Sequence, residues 1–470
     1  MKKTINKSPE ASMQDAALPW PFRNFAALKI FFTSLIFSLI VFSYSMIKAV
    51  KDSVFLSMVG TAYQPWAKIL VILTSIVIFM PIYSFIMGRM RRQTLATIFP
   101  VIYGIFFIVF GLFLIHPTIG LANKISSPAR LLGWISYIFL EFYSIAVVAT
   151  FWAMLSSIST PDSSKRQYGI ITIASRVAGI IASITGIYLS KVAKISANTA
   201  FPLILVGSAC SLFGAAMLIQ LMFRILPTKY LTGYTDLHEK AKLSEKDLKK
   251  KPHFLEGLFT IIAEPYAIGI FGLIASVEII STIMDYRMQC LIHAGAGGSA
   301  MGMLNHFFMY TLAFQIAGLL LATFATTTLP KKIGIRNCLL ITPIVLMLLI
   351  TLSFGFNTLS MVMAVQIALR ALNYGFNEPV REMLFVPTSR EIQFVAKGWI
   401  DTFGKTLSKG SGAALNLWAT GLSAGLNNIV SITSSLTVGF AWLIIAVFVG
   451  KKYHDAVVQD KVIGSKVKND

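Results

Sequence analysis

Runs of apolar residues about as long as a bilayer is thick recur along the whole chain. A helix needs about 20 such residues to cross the hydrocarbon core. Twelve stretches qualify, roughly 27–48, 65–88, 96–116, 131–157, 167–192, 200–225, 258–284, 298–327, 334–354, 357–377, 396–421 and 427–449. Lipid offers no partner to a backbone amide, so such stretches are read as helices. The first is too long for a signal h-region and no small-residue cleavage site follows it, so it is expected to remain uncleaved. Of 470 residues only 13% are charged and 56% are hydrophobic, where a soluble protein carries about 25% charged residues. That leaves too little polar surface for a water-facing body. It excludes a cytosolic enzyme, a disordered chain and a secreted disulfide scaffold. The fold class expected is an all-α membrane protein: twelve transmembrane helices in two six-helix halves.

Loop charge tests this count. Arg89, Arg91 and Arg92 follow span two, Lys165 and Arg166 span four, Lys331, Lys332 and Arg336 span eight, and Arg381 and Arg390 span ten. The loop after span six holds Arg224, Lys229, Lys240, Lys242, Lys246, Lys249, Lys250 and Lys251, and the C-terminal tail holds Lys451, Lys452, Lys461, Lys466 and Lys468. With Arg287 counted in span seven, the loops after spans seven, nine and eleven carry no Lys or Arg. By the positive-inside rule the basic loops and both termini are cytoplasmic. The net charge of +21 is thereby explained without nucleic acid as a partner. The expected organisation is a tail over 1–26, a half over 27–225, a basic linker over 226–257, a second half over 258–450 and a tail over 451–470. Two halves around a midplane cavity are a common transporter plan. Spans five and eleven echo one another weakly, with Tyr168-Gly169 and Arg176 against Lys397-Gly398 and Lys405. Cys210, Cys290 and Cys338 have no CxxC spacing, so neither a disulfide framework nor a metal site is expected, and no cofactor.

Charges inside apolar spans are costly and mark functional sites by default. Span one ends in Lys48-Ala-Val-Lys51-Asp52, Lys68 opens span two, and Glu141 lies within span four. Arg176 is deep in span five, and span seven carries Glu278, Asp285 and Arg287. Glu278 and Asp285, seven apart, share a helical face. Arg370 is in span ten, and Lys397, Asp401, Lys405 and Lys409 recur every four residues through span eleven, a charged stripe winding slowly along one side. The opposite side offers Trp399, Phe403 and Leu407. Two readings of the stripe stand: i,i+4 pairs neutralising one another in a packed bundle, or one wall of a wet, electropositive cavity for a polyanion. Phosphates suit the second, because Arg and Lys bind them through charge-assisted hydrogen bonds. Lys48 and Lys68 lie near helix ends, where snorkelling is an equal reading. Arg176 and Arg370, with apolar neighbours on both sides, cannot easily snorkel, which favours function. His293 and His306 are assigned no role.

Gly398-Trp-Ile-Asp-Thr-Phe-Gly404-Lys405-Thr406 imitates a phosphate-binding loop, but five residues separate its glycines instead of four and no strand precedes it. There is no HExxH. A membrane-embedded enzyme therefore has little support.

The stretch Tyr374-Gly-Phe-Asn-Glu378-Pro379-Val-Arg381-Glu382-Met383-Leu-Phe-Val-Pro387, with Ala396-Lys397-Gly398-Trp-Ile-Asp401 and Gly404 through Lys409, resembles the signature of the ATP/ADP translocases, nucleotide transporters of obligate intracellular bacteria and plastids. Tyr44, Lys48 and Lys51-Asp52 resemble the motif of that family's first helix, and Lys68, Pro81 and Tyr83 that of its second. Glu141, Phe151-Trp152, Lys165-Arg166 and Tyr168 resemble its fourth-helix signature, and Glu264-Pro265-Tyr266 the opening of its seventh helix. In that family two lysines and two acids are tied to transport, and by resemblance these fall on Lys51, Glu141, Asp285 and Lys397. The chain departs from the pattern at Ser156 and Arg176, where the family has asparagines, and at Gln393, where it has a lysine.

The resemblance implies a major-facilitator-like transporter of a bacterial inner membrane, exchanging ATP and ADP by alternating access as a monomer in the lipid bilayer. The expected substrate-binding set is Lys51, Lys68, Glu141, Arg176, Asp285, Arg370, Glu382, Lys397, Asp401, Lys405 and Lys409. Phosphates are expected at Lys51, Arg370, Lys397 and Lys405. Glu141, Asp285 and Glu382 are expected in ion pairs that break and re-form as the halves rock. Proton-coupled net import of nucleotides or NAD is the alternative. A membrane enzyme or lipid flippase is the remote one.

Overall fold

A computed structural model describes residues 25–159, 161–193, 195–231, 254–389, 391–459 and 461–464. The N-terminal tail, Arg390, and the basic residues Lys240, Lys242, Lys246, Lys249, Lys250, Lys251, Lys466 and Lys468 lie outside the described residues, as do the side chains of Lys165, Arg166, Lys229 and Lys331. The described residues form twelve long helices. They are α1 (Phe25–Met58), α2 (Thr61–Tyr83), α3 (Arg92–Ile115), α4 (Leu131–Ser157), α5 (Gln167–Val192), α6 (Ala197–Ile225), α7 (Pro265–Gly295), α8 (Ala300–Leu321), α9 (Lys332–Gly355), α10 (Leu359–Leu384), α11 (391–420) and α12 (Gly425–Val458). Eleven of them are long and apolar enough to span a bilayer. The exception is α11, whose four-residue charge stripe breaks the apolar window, so hydropathy alone does not make it a crossing.

The helices bury one face, as amphipathic spacing dictates. On α1, Ile36, Ile40, Ile47, Val50 and Val54 are at most 2% exposed, while Phe31 on the other side is 51% exposed. Outward apolar side chains such as Leu112, Leu348 and Phe440 suit lipid rather than water. Helix starts carry the expected chemistry. Pro265 opens α7, where a missing N–H costs nothing. The Ser299 and Thr358 hydroxyls accept the N–H groups of Gly302 and Met361 at the starts of α8 and α10. Gly334, at φ 76°, kinks the continuous helical run 300–355 within the first turn of α9.

Two apolar cores result. One is built from α1–α6 and extends onto Met288 of α7 and Phe308 of α8; the other lies within α7–α12. The halves join where α1 and α5 lie on α8 and where the first part of α2 lies on α11. Close approach on the first side depends on Gly186, since a Cβ there would come within 2.4 Å of the Phe308 ring. Past Phe79 the helix continues as Met80–Arg89, where Tyr83 still meets Thr150 of α4 and Phe99 of α3 while Ile82 and Phe85 are more than half exposed.

Widened π-helical turns interrupt several helices: Ser75–Phe79 in α2, Ser144–Ala149 in α4, Tyr188–Val192 in α5, Asn373–Asn377 in α10, and Glu391–Ala396 and Ile400–Gly404 in α11. Such turns concentrate at functional sites because they re-aim side chains within a helix. The one in α10 explains a departure from the expected span 357–377. It carries the helix on through Pro379, which sits at the start of a fresh α-helical turn. Arg381, expected in a loop, is therefore inside α10, 5% exposed, with Glu378 at 3.5 Å.

Candidate functional site

A cavity of about 270 Å³ opens where α1, α2 and α4 face α7, α10 and α11. Its walls carry five cations, Lys48, Lys51, Lys68, Arg370 and Lys409, and four acids, Asp52, Glu141, Glu278 and Asp285. The formal excess is one positive charge. The volume is close to the lower end of the ~300–1,000 Å³ typical of small-molecule sites.

Each acid is held. Glu141 lies between two lysines, ion-paired to Lys51 and 2.9 Å from Lys68. Both ammonium groups also lie over the Tyr137 ring, at 4.3 and 5.6 Å from its centre, a favourable place for a cation on a partly buried wall. Asp52 is 3.1 Å from Lys51. Asp285 receives Gln289 at 3.1 Å, Gln366 at 3.4 Å and Arg370 at 3.5 Å, a donor set that fits an ionised carboxylate. Glu278 is 3.8 Å from Lys409. Lys48 has no carboxylate within 4 Å among the described residues; its ammonium lies 5.8 Å from the centre of the Tyr310 ring. Arg370 keeps a buried Nε without a hydrogen-bond partner.

The charge stripe on α11 divides. Lys409 reaches the cavity wall. Lys397 instead pairs with Glu382 of α10, and Lys405 lies 3.4 Å from Glu378 and 3.1 Å from Asp401. Lys397, Asp401, Lys405 and Glu382 are absent from the cavity wall. They form a second polar network joining α10 to α11.

Arg176 occupies a third place. From α5 it crosses to α8, where its Nη1 donates to Gln315 Oε1 at 2.8 Å and its guanidinium lies 5.1 Å from the Phe314 ring centre. By contrast, all nine ion pairs among the described residues lie within one half. His306, given no role, bonds the Gly302 carbonyl one turn back.

Sequence reasoning left Lys48, Asp52 and Glu278 out of the site, and also Tyr44 and Tyr374, which line it. The signal for Lys48 was present: it stands three residues before Lys51 and hence on the same face of α1.

The fold is shared with solved transporters. A bacterial homologue of the human lysosomal transporter Spinster, inward-facing and unoccupied, superposes with a TM-score of 0.59 at 13% identity, over 95% of this chain and 100% of that one. A bacterial homologue of the iron transporter ferroportin, also inward-facing, gives 0.57 at 14% identity, over 91% and 98%. Among proteins of similar sequence, ADP,ATP carrier protein 3 of Rickettsia conorii is 22% identical over 84% of this chain and 87% of its own length. ADP,ATP carrier protein 1 of Chlamydia trachomatis is 20% identical over 89% and 86%. Residues 6–369 match the family described as TLC ATP/ADP transporter, and this multi-pass membrane protein belongs to that family.

Proposed function

We propose that the chain is a nucleotide transporter exchanging ATP for ADP by alternating access, with the central cavity as its binding site. Family membership supports the substrate class. The observation that carries the site assignment is the cavity wall itself, with five cations of which Lys48 has no carboxylate partner among the described residues. A polyanion fits such a wall through charge-assisted hydrogen bonds. Lys51 and Lys68 already grip one anionic group, the Glu141 carboxylate, from two sides. A terminal phosphate replaces that carboxylate, and Lys48 and Arg370 contribute further donors. Because the cavity is small, binding moves its walls. A ligand drives such a change only through unequal affinity for the two states, and release of Glu141 supplies the inequality.

In this reading all twelve helices cross the membrane, α11 with its charged face toward protein, and both termini are cytoplasmic. The basic stretch 226–257 links the two halves, and the transporter works as a monomer. The network of Glu382, Lys397, Asp401 and Lys405 holds α10 and α11 together as they move. Arg176 ties α5 to α8.

The test is uptake of labelled ATP by liposomes containing the purified protein. Exchange requires uptake with ADP trapped inside, little with AMP or buffer inside, and no loss on adding a protonophore. ATP carries more negative charge than ADP, so exchange moves net charge and responds to an imposed potential. Uptake into liposomes without internal nucleotide, abolished by a protonophore, would establish proton-coupled import instead.

A further inference from the structure

The cavity has a second chemical character besides its charge. Three of its lining residues are aromatic: Tyr44, Phe142 and Tyr374. Two of the rings are occupied. Tyr44 stacks on Tyr143 with centres 5.8 Å apart, and Phe142 stacks on Phe79 at 4.5 Å and is itself buried. Tyr374 is 44% exposed. It is the second residue of the π-helical turn Asn373–Asn377, whose wider backbone presents a side chain that a regular helix would lay along its own surface.

The ring has backing. Phe314 of α8 lies behind it, centres 6.3 Å apart and planes inclined at 60°. Arg176 of α5 lies against Phe314 at 5.1 Å and is fixed by Gln315. Three flat or planar groups from three helices thus form a column that reaches the cavity at Tyr374. Beside it, Asn373 also lines the cavity, and its Oδ1 accepts from Asn377 at 3.2 Å. Amides of this kind read the edges of bases.

We infer that Tyr374 is the stacking face for the base of the nucleotide and sets how strongly the transporter distinguishes a nucleotide from its phosphates alone. The inference rests on the nucleotide-transport reading and adds the polarity of the bound substrate: base on α10, phosphates toward Lys48, Lys51 and Lys68. Every base has a π face, so stacking supplies affinity without strict choice among bases.

The experiment compares two ligands in wild type, Tyr374→Phe and Tyr374→Ala, all reconstituted in liposomes loaded with ADP. One is ATP, read as the KM for uptake; the other is inorganic tripolyphosphate, read as its inhibition of that uptake. The Phe variant keeps the ring and the wild-type KM within about twofold. The Ala variant raises the KM for ATP at least about fivefold, the smallest effect expected from losing one base-stacking partner, while tripolyphosphate inhibits as before. The unchanged inhibition also shows that the Ala variant folds. An unaltered KM in Tyr374→Ala overturns the proposal, and so does an equal weakening of ATP and tripolyphosphate. Failure of wild type to take up any labelled nucleotide is a different result: it removes the transport reading, and this inference with it.

Discussion

Glu141 and Arg370 hold corresponding places in the two halves with opposite charge. Each stands three residues before a π-helical turn, Glu141 on α4 before Ser144–Ala149 and Arg370 on α10 before Asn373–Asn377. Each pairs with the first long helix of its own half, Glu141 with Lys51 of α1 and Arg370 with Asp285 of α7. Since neither pair joins the halves, rigid rocking of one half against the other leaves both intact. A ligand entering the cavity is what can separate them.

Replacing Glu141 by Gln removes the anion that competes with phosphate for Lys51 and Lys68. The expected outcome is a KM for ATP several-fold below wild type with a maximal rate about tenfold lower, because tight binding without a competing carboxylate slows release. Uptake kinetics in proteoliposomes separate the two parameters. A raised KM contradicts this role for Glu141.

Lys48→Ala deletes the cavity cation that has no carboxylate partner among the described residues. A charge-assisted hydrogen bond contributes about 1.5–3 kcal/mol, so the KM for ATP should rise about tenfold or more. The rise should be smaller for AMP as an inhibitor, which carries fewer phosphate charges. Equal effects on ATP and AMP would assign Lys48 to the fold instead.

Asp285→Ala leaves Arg370 on a poorly hydrated wall without its counter-charge. Breaking one side of such a pair costs about 3 kcal/mol. Thermal unfolding of the purified variant should begin at lower temperature than wild type, and Asp285→Ala combined with Arg370→Leu should recover most of the difference. A double variant no more stable than the single one contradicts the pairing.

Lys397 and Glu382 lie off the cavity wall and pair with one another. Lys397→Ala should therefore lower the maximal rate and leave the KM for ATP within about twofold of wild type, since uniform binding is untouched. The exchanged pair, Lys397→Glu with Glu382→Lys, should regain much of the rate. A large rise in KM for Lys397→Ala would return that lysine to direct contact with substrate.

Hydropathy was enough to locate the apolar helices, because lipid imposes one length and one composition on each of them. It could not separate a buried charge that lines a cavity from one that fastens two helices. Lys405 and Lys409 sit one turn apart on α11, yet one meets Glu378 and the other the cavity. That difference depends on which helix lies opposite, which no local spacing records. The extension of α10 to Leu384 was also hidden. A π-helical turn adds a residue to the helix without changing its apolar content, and Glu378 and Arg381 look like loop residues until they are seen to pair. Gly334 and Pro265, by contrast, act through their own backbone chemistry and mark their kink and helix start directly.

The most direct measurement of the central claim, that a nucleotide occupies the cavity, is ligand protection of introduced thiols. Cys210, Cys290 and Cys338 are first replaced by Ser, and a single Cys is then placed on the cavity wall as Ser144→Cys or Ser281→Cys. The rate of modification by a charged thiol reagent is measured with and without nucleotide. The account predicts that ATP and ADP, at concentrations that saturate uptake, slow modification at both positions about tenfold or more, while a Cys at the exposed polar end of α12, Lys452→Cys, is unaffected. Full modification rates at both cavity positions under saturating, actively exchanging nucleotide would contradict it.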